Sequence, residues 1–190
     1  EKLEEVVIPE GVTEIADANS DGAFENCTSL KSITLPSTMK KIGFRAFTGD
    51  TALTEVKNLE VVEEIENSAF WNCTSLEEVT IGAKKIGPSA FSGCEKLGKV
   101  ILKDGLETIE SYAFSDTSVE ELIVPDSVTT FGGLGLGMQN SLRKIKWPGG
   151  VAVVPSYYFC GYEKLEEVVR PEGVTEIADA NVNGVFENCT

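Results

Sequence analysis

A short phrase of the form L-x-x-V-x-I-P recurs along the whole chain, opened by Leu3, Leu30, Leu53, Leu76, Leu97, Val119, Leu142 and Leu165. The intervals are 27, 23, 23, 21, 22, 23 and 23 residues. Self-similarity at a period of about 20 to 30 residues leaves few folds open, because a unit that short cannot bury its own apolar surface and must stack on its neighbours. A solenoid is therefore expected.

Alternation within the phrase assigns a strand. In LKSITLP, Leu30, Ile33 and Leu35 point inward while Ser32 and Thr34 face solvent. Pro36, like Pro9, Pro125, Pro148 and Pro171, ends the strand because it has no N–H to give to a ladder. A second short apolar pair follows, as in Val12 and Ile15, Met39 and Ile42, or Val128 and Phe131. An aromatic slot closes the unit: Phe24, Phe47, Phe70, Phe91, Phe114, Leu136, Phe159 and Phe186. Among so many β-branched residues and glycines no helical period survives, so little or no α-helix is expected.

Composition removes several function classes. The 190 residues carry 16 Lys plus Arg against 31 Asp plus Glu, a formal charge of −15, which disfavours a nucleic-acid partner. There is no His, so nucleophiles paired with a His base are excluded and the commonest transition-metal ligand is missing. Cys27, Cys73, Cys94, Cys160 and Cys189 are too dispersed for C-x-x-C chemistry and odd in number, against a disulfide framework. No signal-like segment opens the chain and no apolar run of about 18 residues could span a bilayer, so no membrane insertion is expected. Starting at EKL and stopping at NCT, it reads as a piece of something longer.

The phrases LKSITLPSTMKKIGFRAFTGDTAL and LEEVTIGAKKIGPSAFSGCEKL, with L-x-x-V-x-I-P and A-F-x-x-C in each period, resemble the BspA-type leucine-rich repeats of surface proteins. The resemblance covers residues 1–190, as one domain of about seven to eight repeats cut from a longer array. It implies a leucine-rich-repeat solenoid, right-handed, with a parallel β-sheet on one side and short strands or 3₁₀ turns on the other. It also implies an extracellular or cell-surface location and an adhesin-like role, and it brings no catalytic residues.

Departures from the pattern carry their own expectations. Asn58 and Trp147 occupy the third inward slot of their units, and Arg170 does so in the last. SDTSV stands one residue short where FxxCxxL is expected, predicting a local bulge after Phe114. FGGLGLGMQNSL puts Leu136 and Gln139 at the Phe and Cys places, and its glycines predict a looser turn. The closing 28 residues match the opening 28 at 24 positions, offset by 162, which marks a seven-unit superperiod.

Four constellations are candidates for chemistry. The cysteines of A-F-x-x-C read as small buried hydrophobes in a stack, with Cys73 and Cys94 neighbours at an interstrand distance that does not suit a disulfide. Asn26-Cys27-Thr28, Asn72-Cys73-Thr74 and Asn188-Cys189-Thr190 match the glycosylation sequon but fall where each unit must turn. Asp17, Asn19, Asp21 and Glu25, echoed by Asp179, Asn181, Asn183 and Glu187, resemble the first part of a calcium loop. Thr28 and Thr190 stand where the bidentate Glu belongs, so any calcium binding is expected to be weak and no cofactor is required. On the outward side of the long strands, Ile101 and Ile123 are neighbours among Lys99, Glu121, Lys144 and Lys146, a mixed apolar and charged patch expected to be the ligand-binding face.

The expected function is non-catalytic recognition of a host or matrix protein or a glycan through that face. The alternative is a structural stalk with no ligand of its own. The uncovered first and last strands also predict weak head-to-tail self-association.

Overall fold

The protein is described from a computed structural model, covering residues 2–16, 21–133, 135–154 and 158–171, with the backbone of 176–177. Each coil contributes a long and a short strand. They are β1 (Glu5–Val7) and β2 (Glu14–Ile15), β3 (Ser32–Thr34) and β4 (Lys41–Ile42), β5 (Glu55–Lys57) and β6 (Glu64–Ile65), and β7 (Glu78–Ile81) and β8 (Lys85–Ile86). The later coils give β9 (Lys99–Leu102) and β10 (Thr108–Ile109), β11 (Glu121–Ile123) and β12 (Thr130–Phe131), β13 (Lys144–Lys146) and β14 (Val153–Val154), and β15 (Glu167–Val169) and β16 (Glu176–Ile177). Among the described residues there is no α-helix, only a 3₁₀ turn at Leu59–Val61, and no helix long and apolar enough to cross a membrane. The solenoid expected from the period is the fold observed.

Pairing is parallel throughout and places like on like. Glu5 lies opposite Ser32 and Ser32 opposite Glu55; Glu121 lies opposite Lys144 and Lys144 opposite Glu167. Leu30, Ile33 and Leu35 are fully buried while Ser32 and Thr34 are partly exposed, as alternation requires. The short strands β2 to β12 form one unbroken six-stranded ladder, whereas the long strands form three separate groups: β1-β3-β5, β7-β9 and β11-β13-β15.

Inside, Phe24, Phe47, Phe70, Phe91 and Phe114 stack ring on ring, with centroids 5.1 to 5.6 Å apart and planes within 8° of parallel. The turns that present Phe47, Phe70, Phe91 and Phe114 use left-handed backbone before the A-F pair, at Arg45, Ser68, Ser89 and Tyr112, and all five turns use it after the pair, at Asn26, Gly49, Asn72, Gly93 and Asp116. Asn and Gly recur in that second column because they tolerate positive φ at low cost. Asn26 and Asn72 are thus turn residues, and a Cβ on Gly49 or Gly93 would lie within 2.4 Å of the neighbouring Asn Oδ1. Asn188 lies outside the described residues.

After Phe114 the stack gives way to an edge-to-face cluster of Trp147, Tyr158, Phe159 and Tyr162. Trp147 is fully buried and its Nε1–H donates to Val151 O at 3.0 Å, which satisfies the indole in the core. One sequence assignment is corrected here. Met138, not Gln139, fills the inner place of its unit, because the wider glycine turn shifts the chain by one residue and Leu142 N–H donates to Met138 O as Leu76 N–H does to Cys73 O. In the next coil Tyr162, three residues after Phe159, fills it, and Cys160 is half-buried outside the column.

Candidate ligand-binding face

The inner column after the Phe stack reads Cys27, Asp50, Cys73, Cys94 and Thr117. The Cys73 and Cys94 thiols donate to the Phe47 and Phe70 carbonyls at 3.1 and 3.2 Å, and the Thr117 hydroxyl donates to Phe114 O. No described cysteine is in a disulfide. The neighbouring Cys94 thiol, together with burial, holds the Cys73 thiol well above its ordinary range. Cys73 should therefore resist alkylation at pH 8 until the chain unfolds, since the thiolate is the reactive form, and Cys94, with no exposed surface, is shielded by burial. Peptide mapping after iodoacetamide checks this: Cys160, half-buried, labels in the native state, and equal labelling of Cys73 would refute the packing.

Asp50 is the member of this column that sequence reading missed, although its place in A-F-T-G-D, where other units have Cys, marks it. It is fully buried, Oδ1 accepts the Cys27 N–H at 2.7 Å, and Oδ2 has no hydrogen-bond partner among the described residues. Burial, with a smaller contribution from the Glu25 charge, pushes its carboxyl up to about 7 against the opposing Cys27 N–H bond.

Of the calcium candidates, Asp17, Asn19, Asp179, Asn181, Asn183 and Glu187 lie outside the described residues. Asp21 is exposed. The Glu25 carboxylate is held by Arg45 Nη2 at 2.6 Å and accepts the Gly22 N–H at 3.0 Å, so a cation there would compete with a guanidinium.

The face of the long strands is opened at two places. Between β5 and β7, Asn58 adopts φ of 64°, its Nδ2 donates to Leu35 O at 2.8 Å, and the 3₁₀ turn swings Leu59 into the core in its stead. The opening, about 510 Å³, is walled mainly by Glu55, Glu60, Glu77, Glu78, Thr54 and Thr80. Between β9 and β11 the cause is the missing residue after Phe114. Where the long strands pair, the residue following the conserved Leu bonds to its equivalent one coil earlier, as Thr54 N–H does to Lys31 O and Gly98 N–H to Glu77 O. Here Ser118, the residue before Val119, donates instead to Leu97 O at 2.9 Å, and no strand pairing continues beyond it. The expected bulge is thus a break in the ladder.

Four of the six predicted face residues line the resulting groove of about 610 Å³: Lys99, Ile101, Glu121 and Ile123. Lys144 and Lys146 lie one strand away, opposite Glu121 and Ile123 in register. Ile123 is 67% exposed and Ile101 38%. The lysines of this mixed patch are each engaged by an acid: Lys99 with Glu78 and Lys144 with Glu167 at 2.7 Å, Lys146 with Asp126 at 3.5 Å. The Glu167 carboxylate raises the Lys144 ammonium above its ordinary range, with Glu121 adding to it. Among the described residues Glu121 itself has no ion pair.

The profile for the BspA type leucine rich repeat region matches in six copies, over residues 1–84, 18–134 and 82–190. Among solved structures the chain is similar to a leucine rich cell surface protein from Faecalibacterium prausnitzii A2-165, at 26% identity and a TM-score of 0.64, covering 93% of this chain and 66% of that one. It is similar to a leucine rich repeat protein of T. pallidum at 26% identity and a TM-score of 0.60, covering 93% and 72%. It shares its fold with the pneumococcal vaccine antigen PcpA, at 24% identity and a TM-score of 0.64, covering 96% and 59%. The chain thus spans just under two thirds of the first of these proteins. No curated protein matches it.

Proposed function

Because the chain belongs to the BspA-type leucine-rich repeat family, we propose that it is a non-catalytic recognition module of a secreted or surface-anchored, adhesin-like protein, binding a host or matrix protein or a glycan through the long-strand face. The observation that carries this reading is the pair Ile101 and Ile123, solvent-facing beside a break in the ladder. A stalk needs only a polar, charged surface; two large aliphatic side chains at a groove mouth are an arrangement that a contact surface uses. The similarity to a cell surface protein supports the location.

The test is capture on a panel of immobilised extracellular-matrix proteins and glycans. Ile101→Ser with Ile123→Ser is expected to abolish capture while thermal unfolding stays within a few tenths of a kcal/mol, the usual scale for exposed positions. Capture that survives the double substitution would remove the face assignment, and no capture by the unmodified chain would favour the stalk.

A further inference from the structure

We propose that the groove between β9 and β11 takes an extended, basic polypeptide segment, seating an aliphatic side chain between Ile101 and Ile123 and a Lys or Arg against Glu121. This rests on the recognition reading above and narrows its ligand to a peptide.

The walls of the groove carry open main chain. Lys99 N–H donates to Glu77 O and Lys103 N–H to Ile81 O, so the odd-numbered residues of β9 turn their peptide groups toward β7. Alternation in a parallel strand then directs those of Val100 and Leu102 into the gap. On β11, Glu120 O accepts from Arg143 and Lys144, and Val124 N–H donates to Lys146 O, which leaves the peptide groups of Glu121 and Ile123 on the groove side. The Cα atoms of β9 and β11 still approach within 8 Å of each other, too close for a strand to lie between them at about 4.8 Å from each, so an extended peptide is held over the groove mouth by its side chains. A sugar offers hydroxyls but no branched aliphatic group to fill the space between the two isoleucines.

Charge selects the sign of the partner. The neighbouring cations are held in ion pairs with Glu78, Glu167 and Asp126, whereas Glu121 at the groove wall is not, in a chain of net charge −15. The local field therefore attracts a cation and repels an acidic segment. The opening between β5 and β7 is an internal control: it too is acidic and its two strands are likewise not paired with each other, but Thr80 stands there in place of an exposed aliphatic residue.

Fluorescence anisotropy on the 190-residue chain tests this with labelled peptides of about eight residues alternating Lys with Val or Ile, the same peptides with Glu for Lys, and neutral oligosaccharides. The Lys peptides are expected to bind at least about tenfold more tightly than the Glu peptides and to weaken as salt screens the attraction. Ile101→Ser with Ile123→Ser should cost about tenfold with the melting curve unchanged. Glu121→Gln should reduce the preference for Lys, and Glu55→Gln at the other opening should leave it unaltered. Equal affinity for Lys and Glu peptides overturns the proposal, as does an equal response to Glu55→Gln and Glu121→Gln, which signifies generic attraction to an acidic chain. Oligosaccharide binding that the double serine variant loses, with no peptide binding, overturns the peptide while preserving the recognition face.

Discussion

Replacing Asp50 by Asn is expected to stabilise the solenoid above pH 7 and to leave it little changed, or weaker, below pH 4.5. The carboxyl is buried between Cys27 and Cys73 in the inner column, one oxygen bonded to the Cys27 N–H and the other with no partner among the described residues. Its folded value of about 7 lies above the ordinary 3.8, so the folded chain holds a proton that the unfolded chain releases. For an acid shifted in this direction the stability is fully present below the unfolded value. It declines as pH rises from about 4 to about 7, and the loss is complete above that. At about 1.4 kcal/mol per pH unit the whole effect is on the order of 4 kcal/mol. For a chain of this size that is roughly 5–15 °C in melting temperature. Asn keeps the shape without the charge, and Asp50→Cys restores the residue that the column uses on either side. Melting curves of the unmodified chain and the two variants between pH 4 and 8 check this. Parallel pH profiles for the unmodified chain and Asp50→Asn would show that the carboxyl is not titrating in the core.

The second large effect is expected from Phe70→Ala. Phe70 has no exposed surface and its ring lies 5.1 Å from those of both Phe47 and Phe91, so truncation opens a cavity in the middle of the stack. Losses of about 3–5 kcal/mol are typical of such a change. In a stacked array the damage falls on two interfaces at once, because each coil contacts only its neighbours. Phe70→Leu should cost less, about 1.5 kcal/mol or below, since Leu136 is fully buried at the equivalent place in a later coil. Trp71→Ala, one residue away and 40% exposed, should change stability by no more than about 0.5 kcal/mol. Urea unfolding of the three variants orders them, and a Trp71 effect as large as that of Phe70 would contradict the burial pattern.

Local patterning was enough to read the solenoid and the phase of nearly every side chain. Leu30, Ile33, Leu35 and Phe47 are inside because strand alternation and the turn after it are local properties, readable from a dozen residues and reinforced by every repeat. The outward position of Ile101 and Ile123 followed from the same rule. The residue missing after Phe114 marked one departure in the sequence, but that it and Asn58 open the long ladder was settled by the stacking of coils, because pairing depends on how each coil aligns with its neighbours. Stacking also set the charge of the face. Lys99, Lys144 and Lys146 belong to a mixed patch in a column of letters, yet their partners Glu78, Glu167 and Asp126 are distant along the chain and within 3.5 Å in space. Asp50 belongs to both: its letter stands in the sequence at a Cys place, but stacking between Cys27 and Cys73 is what strips it of water and moves its proton.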